Sequence, residues 1–455
     1  MPINSFLYPG AKFVPPYSVA NSCRFNADAY MVKDIVTPTN QKKYTISAWV
    51  KRSKISSRQR IFTVIDTSDT AAYSYLEFQS DDKLNFDDFD GSSTRLTRTT
   101  TNAFRDPSAW MNIIIAVDTT QSTGSNRVKM YINGTQVSSF GTETNASQNF
   151  DTTTLNSNKT FRVGEHGTAG FRFAGYMCEF VLIDGLQLDQ TSFGEFDSDT
   201  PTVWKPIDVS DLTFGNNGFY LDFEDSSNLG NDVNGGTDLT ETSLAATDQS
   251  TDTCTNNFCT FNPLDVTADD EATLSEGNLK AVADGAFHQT RSTFYLTTGK
   301  WYWEFKATSV GDALQGGVVG SDYVGGSGLR RNYQHSAAKY TDGSSSSYGA
   351  TFTDGDIIGV ALDLDNGTLI FYKNGSTQGT AFTDMLSAIG EDGWTPDVVM
   401  YNSTAEMNFG SPPYSISSGN SDANGHGNFE HSVPSGYFAL CTKNLGKSGQ
   451  WLIQL

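Results

Sequence analysis

The stretch "GEFDSDT" at 194–200 places Glu195, Asp197 and Asp199 at alternating positions. Alternate residues of a strand share a face. Two carboxyl groups about 5 to 5.5 Å apart on one face are what a retaining glycosidase uses, one as nucleophile and the other as acid and base. Here Ser198 interrupts the run and Thr200 and Pro201 follow at once, so the stretch reads as a turn at a domain edge and no catalytic residue is expected. The cysteines of "CTNNFC", Cys254 and Cys259, lack the two further ligands a zinc site needs, and read as structural or free thiols. "NGHGNFEHS" groups His426, Glu430 and His431 in a glycine-rich surface loop with no helix to present a metal pair. Asp222, Glu224, Asp225 and Asp232 offer oxygen to calcium without the spacing of a calcium loop, and read as solvated turns. No cofactor, metal or structural calcium is predicted. Nor is there a nucleophile elbow or a phosphate loop ending in Gly-Lys-Ser/Thr. What remains is binding. The loop "SDYVGGSGLRRNYQH" (321–335) sets Arg330, Arg331, Tyr333 and His335 in an acidic half, and Arg and Tyr are the residues that most often anchor interfaces. The competing reading has the arginines merely balancing acids.

The bulk composition narrows the partner. The 455 residues carry a net charge of -22, divided as 26 acids and 20 bases in 1–230 but 26 acids and 10 bases in 231–455. Nucleic acid is excluded as the main partner, because phosphates must be met by Lys and Arg. The seven bases of "KKYTISAWVKRSKISSRQR" (42–60) read as a solvated strand and loop. The longest apolar run, "IIIAV" at 113–117, is strand-sized, far below the ~20 residues that cross a bilayer, so membrane insertion is not expected. "MPINSFLYPGAKFVPP" has no basic then apolar leader, which predicts a soluble protein without a standard secretory signal.

The elements that must position these residues are strands. From about 20 to 225, short alternating segments are parted by Gly, Asn, Asp and Ser at the roughly 8 to 12 residue spacing of a sandwich. "YTISAWVKR" (44–52) sets Ile46, Ala48 and Val50 on one face and Thr45, Ser47, Trp49 and Lys51 on the other. "WMNIIIAVD" (110–118), apolar nearly throughout, reads as a central strand. Asn-Gly pairs at 133–134, 366–367 and 374–375 supply the positive φ of tight hairpins. Trp301, Trp303 and Phe305 alternate with Tyr302 and Glu304, a period that fills a core in preference to stacking a sugar. The pattern predicts an all-β chain of two β-sandwich domains. Residues 1–19 form an extended docking arm, 20–230 the first sandwich, 231–275 a polar connector, 276–440 the second sandwich and 441–455 a tail.

Motif order adds a resemblance. "ISAWVKR", "WMNIIIAVD", "VKMYINGTQV", "FRVGE" and "FAGYMCEFVLIDGLQLDQTSFGEF" resemble, in that sequence, the concanavalin A-like, laminin-G-type jelly roll. "GKWYWE" (299–304), "GDIIGVALD" (355–363), "LIFYKNG" (369–375), Pro396 and "NFG" (408–410) resemble the SPRY family, also a two-sheet sandwich. "PSGYFALCTKNL" (434–445) resembles a segment that follows such domains in structural proteins of marine tailed bacteriophages. The resemblance implies a non-enzymatic virion surface protein, assembled in the host cytoplasm as a fibre, appendage or capsid decoration. Its partners would be other virion proteins and a host cell-surface glycan or protein, and its state a homo-oligomer, on resemblance a trimer. The sequence stops within ten residues of the segment, which favours a compact appendage over a long fibre. Two alternatives stand beside this reading. One is a polysaccharide depolymerase, since concanavalin A-like folds include glucanases, with Glu195 and Asp197 as its carboxylates. The other is an intracellular SPRY interaction adaptor.

Overall fold

The computed structural model describes residues 17–26, 28–65, 72–167, 170–265, 272–321, 329–388 and 393–445. The docking arm expected at 1–19 therefore falls outside the described residues up to residue 16. Alternation along short segments does what it dictates: two sandwiches form, each closed around an apolar interior. In the first, an eight-stranded sheet centred on Lys43–Arg52, between Met111–Asp118 and Gly175–Asp184, faces a second eight-stranded sheet centred on Tyr73–Phe78 and Gln59–Ile65. Ile46, Ala48, Val50, Ile113 and Ile115 meet Phe62, Val64, Leu76 and Phe86 between them. The continuous apolar run at 113–117 is explained by burial on both sides, because Ile114 and Ala116 pack outward under Phe193, Val209 and Phe214.

In the second sandwich, Lys300–Ser309 is flanked by Ile357–Asp363 and Thr404–Asn408 in an eight-stranded sheet. It packs on a six-stranded sheet ordered Phe287–Arg291, Trp394–Tyr401, Ala313–Gly320, Arg330–Gln334, Ala338–Thr341, Ser344–Ser347. Trp301, Trp303 and Phe305 lie in its core with Val318, Val398 and Met400. Tyr302 and Ala361 face away and are buried by Phe429 and Ala439 of the C-terminal segment.

Two expectations are corrected. Only two of the Asn-Gly pairs are two-residue hairpins. Ile132 pairs Thr135 and Lys373 pairs Ser376, with Asn133 and Asn374 at φ +46° and +47°. At 366–367 the pairing of Asp363 with Thr368 leaves a four-residue loop, whose backbone N–H groups at Asp365 and Asn366 are accepted by the Asp363 carboxylate. Part of the 231–275 connector is ordered against the first sandwich, where Thr240–Thr242 pairs with Tyr30–Asp34 and Gln249–Ser250 with Ser22–Phe25, while Thr273–Ser275 pairs with Lys280–Val282 of the second. Finally, the basic stretch is not a solvated face. Lys51, Arg52 and Arg60 are buried, and acids reach each of them: Asp252, Asp82 and Glu77 respectively.

Candidate functional site

The six-stranded sheet of the second sandwich presents one apolar and one polar face, and strand parity decides which residue goes where. Leu314, Val318, Tyr333, Val398 and Met400 turn into the core. Their neighbours Gln289, Gln315, Arg330, Gln334 and Val399 turn outward and line a groove of about 380 Å³, walled by Phe287, His288, His335 and Tyr340. Phe287 sits on the sheet's edge strand, 59% exposed, its ring 5.1 Å from that of Tyr401. Between these residues Gly317 pairs with Asp397 on one side and Asn332 on the other. A Cβ there would meet the Arg331 carbonyl oxygen at 2.2 Å, so only glycine lets these strands lie so close.

Polar groups converge on this face. Arg330 Nη2 donates to Gln289 Oε1 at 2.9 Å, Nε lies 3.8 Å from Asp397 Oδ2, and the guanidinium sits 5.5 Å from the Tyr340 ring centre. Gln289 Nε2 donates to Asp397 Oδ2 at 2.9 Å, and Gln334 Nε2 to Gln315 Oε1 at 3.3 Å. His335 Nδ1 accepts the Leu314 N–H at 3.3 Å, which in the neutral ring puts the proton on Nε2. Asp397 is buried, and burial pushes its carboxyl above the ordinary value while Arg330 opposes the shift. Its Oδ1 and the Oδ1 of buried Asn332 have no hydrogen-bond partner among the described residues. Such orphaned buried acceptors are uncommon in folded proteins.

The four residues singled out in the sequence divide in two. Residues 330–334 are strand, not loop, and 322–328 of the expected loop lie outside the described residues. Arg330 and His335 line the groove. Arg331 and Tyr333 do not, because their parity carries them to the other side. The Arg331 guanidinium is held by Asp342 and Asp384, 2.8 Å from each, and holds Asp384's carboxyl below its ordinary value. Tyr333 is fully buried among Tyr348, Phe352 and Phe371, its hydroxyl donating to the Ala350 carbonyl. Phe287, Gln289, Gln315, Tyr340 and Asp397 were missed. The alternation in "AFHQTR" and "ALQGG" gives their parity, but which strands pair is a long-range fact.

The other candidates are committed locally. Glu195 and Asp197 lie on a short exposed hairpin, both ion-paired to Lys205, and Asp197 caps the backbone N–H groups of Asp199 and Thr200. Asp232 binds Lys33 and the Tyr220 N–H, and Asp225 caps Ser227. Glu430 accepts from Ser417. No group of three His, Cys, Asp or Glu side chains arranged for a metal occurs among the described residues.

Comparison with known proteins fixes the two units. Residues 26–188 match the concanavalin A-like lectin/glucanases superfamily, and residues 300–412 match the SPRY domain. The chain carries a concanavalin A-like domain followed by a SPRY domain. Most of the groove's lining, from Ala313 to Val399, falls within the SPRY match, while Phe287, His288 and Gln289 precede it. Among curated proteins, Ran-binding protein 9 of Danio rerio is 32% identical over 119 residues, 24% of this chain and 20% of that protein. The same protein of Xenopus tropicalis is 31% identical over 162 residues, 31% of this chain and 28% of that protein. The chain therefore spans between about a fifth and somewhat over a quarter of the length of these relatives. The solved SPRY domain of human HERC1 aligns with a TM-score of 0.28 at 19% identity, over 32% of this chain and 96% of that one. Domains LG4-5 of the mouse laminin α1 chain align with a TM-score of 0.31 at 11% identity, over 97% and 92%.

Proposed function

We propose that the protein is a non-catalytic recognition protein of a tailed-bacteriophage particle, whose SPRY groove engages a host-surface glycan or protein. The observation that carries the reading is the groove itself: a polar floor of side-chain amides, one guanidinium and an exposed aromatic wall. Such convergence of few polar groups in a concave, partly apolar site is the usual form of a binding site. Placement on the virion rests on the phage-like order of domains and on "PSGYFALCTKNL", and assembly with other virion proteins as a homo-oligomer belongs to the same proposal. Mass spectrometry of purified particles, with adhesion of the full chain to host cells, tests it. The protein is expected in particles, and Arg330→Ala is expected to weaken adhesion. Its absence from particles with recovery from cell lysate would favour the second reading, an intracellular interaction adaptor, which the match to Ran-binding protein 9 supports. For the depolymerase, Glu195→Ala with Asp197→Ala is expected to change no release of reducing sugar.

A further inference from the structure

We infer that the groove's ligand is a saccharide and not a peptide segment, an inference that rests on the groove being the contact site. Three observations carry it. The described lining residues include no Asp or Glu, although 231–455 hold 26 acids to 10 bases. Acids are thus absent from the described lining of this concave surface, and the groove is left to neutral amides, two imidazoles and Arg330. The floor itself is made of the Gln289, Gln315 and Gln334 side-chain amides. Each amide presents both an accepting carbonyl oxygen and donating N–H groups. A sugar hydroxyl both donates and accepts, so a run of hydroxyls satisfies such a mixed floor, alone or through a bridging water. Lastly, the wall is aromatic. Phe287 and Tyr340 offer ring surface against which the C–H face of a pyranose can lie.

A peptide would compete by adding a strand to an edge of the sheet, such as Phe287–Arg291, and this would leave Gln315, two strands inward, untouched. The test uses the full chain and oligosaccharides of glucose, galactose, N-acetylglucosamine and galacturonic acid, titrated by calorimetry, with folding of each variant checked by circular dichroism. At least one oligosaccharide is expected to bind, and Phe287→Ala and Gln315→Ala are each expected to weaken it tenfold or more. Binding unchanged in both variants would place the sugar elsewhere and overturn the inference. So would no binding at about 1 mM ligand by a chain that still adheres to host cells and loses that adhesion on Phe287→Ala, an outcome that leaves the proposed function standing. Adhesion indifferent to Phe287→Ala, Gln315→Ala and Arg330→Ala together would instead sink the proposed function.

Discussion

Glu179 shows how one residue can be both strained and charged inside a sheet. It lies within the strand Gly175–Asp184 at φ +50°, where the register to Lys43–Arg52 shifts between Cys178 and Val181. A non-glycine residue there costs of order 1–3 kcal/mol and persists only where its surroundings hold it. Tyr17 and Tyr220 do so, donating O–H groups to Oε2 at 2.9 and 2.8 Å. Burial pushes the carboxyl up to about 7 against an ordinary 4.5, with the tyrosine hydrogen bonds opposing the rise. The folded protein therefore holds this proton over an interval where the unfolded chain has lost it. Stability falls as pH rises from about 4.5 to about 7, by roughly 3 kcal/mol for this group, and the loss is complete above that window. Asp88, also pushed up to about 7 by burial, titrates in the same interval. The expected outcome is thus read as a difference: urea unfolding of Glu179→Gln across this range should show a shallower pH slope than the parent. A slope unchanged by the substitution would contradict the assignment. Nothing in "YMCEFVLID" announces this residue, because a bulge is set by what the partner strand does.

The repeated Asn-Gly hairpins give the element scale its own prediction. Both turns take the positive φ that this pair tolerates, and both were legible in sequence, since the demand for αL backbone is local. Their surroundings were not. A Cβ on Gly134 would sit 2.2 Å from the Trp204 ring, which buries the turn, whereas on Gly375 it would meet only the His431 imidazole at 3.1 Å. Each substitution to alanine carries about 1–2 kcal/mol for left-handed backbone. Gly134→Ala adds overpacking of roughly 1–3 kcal/mol against an indole pinned by its hydrogen bond to Asn112. Chemical denaturation should rank Gly134→Ala clearly below Gly375→Ala in stability; equal losses would show that Trp204 yields. The same division runs through the site. Alternation in "RRNYQ" sends one arginine outward and the next inward, so the groove's parity was readable, but its membership depended on Phe287–Arg291 reaching Trp394–Tyr401 across more than a hundred residues.

At the scale of the molecule, the sequence announced two sandwiches and hid how they are joined. The joint is polar and buried. Arg24 of the first sandwich reaches the Pro412 carbonyl at 3.4 Å, Ser250 meets Ser411 at 2.6 Å, and the Tyr176 hydroxyl donates to the Gly277 carbonyl at 3.0 Å. At its centre Lys51 and Asp252, each 1% exposed, form a fully engaged pair. Lys51 Nζ bonds Asp252, the Asn257 side chain and the Phe258 carbonyl at 2.7, 2.7 and 2.9 Å, and Asp252 also accepts from Trp110 and from the Phe258 N–H. Removing one member of such a pair costs about 3–5 kcal/mol, because the other charge stays buried. Asp252→Leu orphans donors from three segments, while Lys51→Met leaves the carboxylate two of its donors, so the first is expected to destabilise more. The parent should unfold in one calorimetric transition and Asp252→Leu in two, because the pair ties strand Lys43–Arg52 to the segment that enters the SPRY domain. Two transitions in the parent would mean that the sandwiches are energetically independent and that this buried joint fixes geometry alone.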